Sequence, residues 1–263
     1  MGLSFKTWGT PDHPALLMLH GLFGFGSDWE QLALALSPDY FCIAPDLPGH
    51  GRTDLNDFAK GDSFKNTSAA LIALLEQLEI GEATLLGYSM GGRIACHTAV
   101  THPKWFAGLI LESASPGLKT AGEREERLKI DLARGKEIEG GVFQNFLEQW
   151  YQQPLFQSMQ RQPGRLGEVI QDRLRQDPRK LARAVDIFSI GRQPNLSSPL
   201  SVLQMPVLLI VGELDEKYRH IASEIAALRR GKTAIRVIPD VGHNAHWEAP
   251  VAFTEAVKTF LQD

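Results

Sequence analysis

The sequence predicts an α/β fold: a mainly parallel sheet covered by helices on both faces, with one helical segment inserted between two late strands. Three observations predict it. Short apolar runs alternate with helical stretches along most of the 263 residues, as in parallel sheets buried on both faces. The alternation breaks once, from Pro116 to about Pro194, where several helices follow one another without a convincing strand. And Gly87-Tyr88-Ser89-Met90-Gly91 lies where an apolar run passes directly into a helix-like stretch.

In chain order, the apolar run 15–19 reads as the first strand. A helix follows over about 28–36, opened by the capping-box pattern Ser27-Asp28-Trp29-Glu30. Strand 40–44, helix 64–78 and strand 83–88 come next, then helix 90–102 and strand 106–111. The inserted segment carries an arginine-rich helix at 123–134, an aromatic one at 143–151, and helix over 165–190. The core resumes with strand 207–211, Val-Leu-Leu-Ile-Val, then helix 217–229, strand 235–238 and helix 250–261. Residues 1–116 and 195–263 thus form one core, and 117–194 a helical lid. There is no internal repeat and no low-complexity linker.

A length of 263 residues suits one large domain with an insertion better than two domains. Apolar content of 43% and charged content of 22% are those of a globular protein. No apolar run approaches a bilayer-spanning length, and residues 1–14 lack a signal-peptide core, so the expected location is cytoplasmic, without membrane association. A net charge of -4 argues against nucleic acid as a partner. Cys42 and Cys96 have no metal-ligand or CxxC spacing and read as buried, reduced thiols. The charge is unevenly spread: residues 117–194 carry 14 Lys or Arg against 11 Asp or Glu, the remainder 13 against 20. Ten of those 14 cations are arginine, which suits bidentate capture of carboxylates but also a solvated helix surface.

A G-x-S-x-G turn between strand and helix lifts its serine hydroxyl above the sheet edge, beside the positive end of a helix dipole. Ser89 is therefore the candidate reactive hydroxyl. It needs a histidine to take its proton and an acid to orient that histidine, and in this arrangement the chain order is Ser, Asp or Glu, His. Asp215 follows strand 207–211 and is preferred over Glu213 and Glu216. His243, in Val241-Gly242-His243-Asn244, is preferred over His246 three residues on. His13, His50, His97, His102 and His220 read as surface, turn or helix residues. Oxyanion donors are expected from the Met90 N–H and from the loop His20-Gly21-Leu22-Phe23-Gly24, where Leu22 is preferred and Phe23 is the alternative. His20 reads as a structural brace for that loop. Arg93, one turn after Ser89, opposes the helix dipole and calls for an anion, either a core carboxylate or a substrate carboxylate. Trp150-Tyr151-Gln152-Gln153-Pro154-Leu155-Phe156 offers aromatic walls or ordinary packing.

With Asp46-Leu47-Pro48-Gly49-His50-Gly51 added to these motifs, the whole chain resembles the α/β-hydrolase superfamily. More narrowly it is similar to the 2-succinyl-6-hydroxy-2,4-cyclohexadiene-1-carboxylate synthases, the lyases of menaquinone and phylloquinone biosynthesis. The specific carriers are the arginine four residues after the serine and the Trp-Tyr-Gln-Gln-Pro stretch; Ser115-Pro116-Gly117-Leu118 and Gly242-His243-Asn244-Ala245-His246 support them. The resemblance implies a small-molecule substrate with three carboxylates, bound by Arg93, Arg127 and Arg173, with Arg124 and Arg175 as near neighbours of the latter two. It implies an aromatic pocket of Tyr88, Trp150 and Phe156, and no metal or organic cofactor. The implied reaction is an elimination of pyruvate, with Ser89 as a base rather than a covalent nucleophile. Two departures stand out: Glu112-Ser113-Ala114-Ser115, where a more glycine-rich turn is expected, and Trp247, where arginine is expected. The rival readings are a carboxylic-ester or carbon–carbon bond hydrolase with Ser89 as nucleophile, and a non-catalytic binding protein. Oligomeric state is open, a monomer being compatible with the sequence.

Overall fold

Residues 2–262 are described in the structure, a computed structural model. The most apolar runs have no face they can leave wet, and they become the middle of a single sheet. Strands β1 (Phe5–Trp8), β2 (Ala15–Leu19), β3 (Phe41–Pro45), β4 (Ala83–Tyr88), β5 (Phe106–Glu112), β6 (Val207–Gly212) and β7 (Thr233–Ile238) lie in the order β1-β3-β2-β4-β5-β6-β7. All pairings are parallel except β1 with β3, where Phe5 faces Pro45. β2, β3 and β6 are buried along their whole length, while β7 is exposed over most of its residues.

Helices α1 (Glu30–Leu36), α2 (Ser63–Gln77) and α3 (Met90–Thr101) precede β5. α4 (Ala121–Gly140), α5 (Phe143–Tyr151), α6 (Pro163–Arg173), α7 (Pro178–Ile187) and α8 (Ser197–Ser201) lie between β5 and β6, and α9 (Glu216–Leu228), α10 (Ala245–Glu248) and α11 (Pro250–Gln262) complete the chain. One apolar cluster joins one sheet face to α2, α3 and α9, and a second joins the other face to α1 and α11. A third belongs to the segment between β5 and β6 and takes in Phe23 from the loop after β2. Phe23 meets Phe146 and Trp150 edge-on at 5.8 and 5.1 Å; emptying so buried a site costs about 3–5 kcal/mol. The inserted segment leaves and re-enters the core at neighbouring points, the Leu196 N–H bonding the Pro116 carbonyl at 2.7 Å.

Three local expectations are corrected. β1 escaped notice because it is a four-residue edge strand with polar residues at its centre, too short and too wet to show a pattern. The stretch 165–190 is two helices: Asp177 accepts the Arg179 N–H at 2.9 Å, and Pro178 in the next helix's first turn bars continuation from before. The capping box at Ser27 does not form. A 3-10 turn, Gly26–Trp29, starts earlier, and Asp28 reaches back to the Phe25 N–H at 3.1 Å. Further 3-10 segments are Pro103–Trp105 before β5 and Pro154–Arg161 after α5.

Candidate active site

The link from β4 to α3 is a sharp turn in which Ser89 has φ 50° and ψ -109°. Its N–H is tied to the Glu112 carbonyl at 2.9 Å, so the strained conformation is held by the neighbouring strand. The flanking glycines are required by contact. A Cβ on Gly87 would lie 2.5 Å from the Gly91 carbonyl oxygen, and one on Gly91 would collide with the Leu19 carbonyl.

Asp215 caps α9, its Oδ1 accepting the Tyr218 N–H at 3.3 Å. Its Oδ2 lies 2.7 Å from His243 Nδ1, and His243 Nε2 lies 3.1 Å from Ser89 Oγ. Asp215 and His243 are 6% and 1% exposed, so the pair is shielded from water and the imidazole held in one orientation. Among the competitors, Glu213 accepts the Asp240 N–H at 3.1 Å and Glu216 is exposed.

The loop after β2 distinguishes its two donors. The Phe23 N–H donates to His50 Nε2 at 3.2 Å, whereas the Leu22 N–H, like that of Met90 at the start of α3, has no acceptor among the described residues. Leu22, Met90 and Ser89 face the same cavity. His20 braces the loop, with Nδ1 2.7 Å from the Gly21 carbonyl and Nε2 accepting the Leu47 N–H at 2.9 Å. Burial holds the pKa of both histidines below the ordinary value, which keeps each ring's acceptor nitrogen free of a proton.

His246 belongs to a second histidine–carboxylate pair, which sequence reasoning missed. Glu112, fully buried at the end of β5, accepts the His246 N–H at 2.9 Å with Oε1 and bonds its Nδ1 at 2.7 Å with Oε2. The His246 ring rests on Trp29 at 4.4 Å and meets Tyr88 edge-on at 4.9 Å. A carboxylate at the head of a stretch expected to be more glycine-rich was the signal available in the sequence; it ties the loop bearing His243 to the strand behind Ser89.

The cavity above Ser89 has a volume of about 860 Å³. Tyr88, Trp150 and Phe156 line it, and Phe156 meets the His243 ring edge-on at 6.0 Å. Arg93, Arg127 and Arg173 all reach it, while Arg124 and Arg175 do not. The three differ in charge balance. Arg173 is locked to Asp28 by two bonds of 2.8 and 2.7 Å. Arg127 bonds both oxygens of Asp131 through Nε at 2.9 Å, and Asp131 is shared with Arg134 and Ser189. Arg93 bonds Gln193 at 3.3 Å and has no carboxylate partner among the described residues. Burial first, and Arg127 among its neighbours, pushes its pKa down to about 10, so its charge lacks a counter-ion. Cys42 and Cys96 are buried free thiols pushed up to about 12 by burial and play no part in the cavity.

Residues 14–250 match the alpha/beta hydrolase fold family. A Photorhabdus laumondii protein named 2-succinyl-6-hydroxy-2,4-cyclohexadiene-1-carboxylate synthase is 35% identical over 254 residues, covering 96% of this chain and 87% of its own. One of the same name from Serratia proteamaculans is 34% identical over 259 residues, covering 96% and 95%. The solved structure of MenH from S. aureus superposes with a TM-score of 0.90 at 31% identity, covering 98% of this chain and 97% of its own.

Proposed function

The chain belongs to the α/β-hydrolase family, in the branch of the 2-succinyl-6-hydroxy-2,4-cyclohexadiene-1-carboxylate synthases, and on that premise we propose that it eliminates pyruvate from 2-succinyl-5-enolpyruvyl-6-hydroxy-3-cyclohexene-1-carboxylate. The observation that carries this reading is a complete serine–histidine–aspartate relay opening into a cavity lined by six Lys or Arg side chains against three carboxylates. A cavity with that surplus favours a substrate bearing several negative charges over a neutral ester.

Ser89, its proton drawn by His243 and the imidazole oriented by Asp215, removes the proton alpha to the succinyl ketone. Charge develops on the ketone oxygen, where the Leu22 and Met90 N–H groups and the dipole of α3 stabilise it. Collapse of the enolate breaks the carbon–oxygen bond to the enolpyruvyl group, pyruvate leaves after taking up a proton, and the conjugated diene remains. A relay and donors suited to a tetrahedral oxyanion suit an enolate equally, so no covalent serine adduct is needed. Arg93, Arg127 and Arg173 hold the carboxylates, and Tyr88, Trp150 and Phe156 the ring. Residues 117–194 act as the lid over a core of 1–116 and 195–263, and the place of action is the cytoplasm.

The test is to generate the substrate in situ with the preceding synthase and follow pyruvate through a coupled dehydrogenase, comparing wild type with Ser89→Ala. Rapid release lost in the variant supports the reading. Release from the wild type no faster than the spontaneous background overturns it in favour of a hydrolase.

A further inference from the structure

Lys217, in the first turn of α9 and two residues after Asp215, also lines the cavity, and neither motif nor resemblance drew attention to it. Its ammonium lies 5.4 Å from the centroid of the Tyr218 ring, and that ring packs on His243 at 4.6 Å. It makes no ion pair among the described residues. Other cavity cations are matched: Arg173 with Asp28, Lys119 with Glu224, and Arg127 with the Asp131 it shares with Arg134. Arg93 and Lys217 are left without a carboxylate.

The two share a further peculiarity. Each is a cation in the first turn of its helix, where the macrodipole disfavours positive charge. Their fields also meet on the same neighbour. Burial and then Arg127 pull the Lys217 ammonium below the ordinary lysine range, with Asp215 pulling the other way, and Arg127 acts on Arg93 in the same sense. Asp215 cannot serve as counter-ion for Lys217 without loosening His243. Arg93, Arg127 and Lys217 thus line one cavity, with a single carboxylate, Asp131, already divided between Arg127 and Arg134.

We propose that Lys217 is a substrate-binding residue that, with Arg127 and Arg93, forms a carboxylate-binding wall whose counter-charge is supplied by the substrate. The proposal rests on the lyase reading and deepens it. Arg173 is neutralised by Asp28, so Lys217 contributes the positive charge that three arginines alone leave short for a tricarboxylate.

The experiment is steady-state pyruvate release by wild type, Lys217→Ala and Lys217→Arg over a range of ionic strength. Lys217→Ala raises KM by about tenfold or more, the loss expected for an uncompensated charge contact, with kcat within about threefold, and weakens the salt dependence of kcat/KM. Lys217→Arg restores most of the affinity, because it keeps the charge. An unchanged KM in Lys217→Ala overturns the proposal, as does a fall in kcat alone, which would mean that the side chain acts through Asp215 or the helix start. Wild-type release at the background rate is a different outcome: it removes the lyase reading itself, and the carboxylate wall with it.

Discussion

The floor and the roof of the cavity are built on different principles. Ser89 and Asp215 stand on turns that leave the buried strands β4 and β6, His243 follows the more exposed β7, and a backbone bond to the adjoining strand holds the serine turn in its strained conformation. The roof, from α4 to α7, is helical, carries arginines and aromatics, and is tied to the core at several separate points, among them Arg173 to Asp28, Gln176 to the Phe23 carbonyl at 2.6 Å and Phe188 against Phe64. On the proposed function, the floor sets the reacting geometry and the roof selects what lies on it. Changes to the floor should therefore move kcat, and changes to the roof KM or stability.

Asp215→Asn gives the largest effect: the imidazole is held in the wrong tautomer, and kcat falls by about 10⁴ with little change in KM, measured by pyruvate release. A comparable rise in KM would break the division between floor and roof. Arg93→Ala comes next and exceeds Arg127→Ala, by about 100-fold against tenfold in kcat/KM, because Arg93 lies one helical turn after Ser89 on α3 and has no carboxylate partner among the described residues. The reverse order in steady-state kinetics would sink that ranking. Asp28→Ala leaves Arg173 buried without its partner and destabilises the fold by about 3 kcal/mol, seen as a lowered midpoint in thermal or urea unfolding. The last effect is on acid stability. His20 and His50 titrate lower in the folded chain than in the unfolded one, so the unfolded chain binds protons first. Their contribution is whole above about pH 6.5 and is lost as pH falls, by at most about 1.4 kcal/mol per unit for each ring. Unfolding midpoints that stay level from pH 7 to 5 would contradict it.

The floor was also the more legible half in the sequence. A buried parallel strand is an uninterrupted apolar run, and the turn after it displays its glycines and its serine, so strands 15–19 and 83–88 were read to the residue and the relay followed from chain order. The roof was less legible because its meaning lies in pairings distant along the chain. That Asp28 binds Arg173, 145 residues away, or that Asp131 is shared by Arg127, Arg134 and Ser189, leaves no periodic trace. Asp28 looked like part of a helix start. Glu112 was noticed only as an oddity, since the histidine it orients lies 134 positions further on.

The 2.7 Å hydrogen bond between Leu196 and Pro116 closes the inserted segment into a loop whose ends already touch. Such a segment is a natural unit of exchange. A different helical stretch set between those two residues would have to rebuild the ties that Arg173 and Gln176 make to Asp28 and Phe23 and the packing of Ala184, Ile187 and Phe188 against the core. On the proposed function, one contiguous stretch of chain then carries Arg127, Arg173, Trp150 and Phe156, while Ser89, Asp215 and His243 all lie outside it.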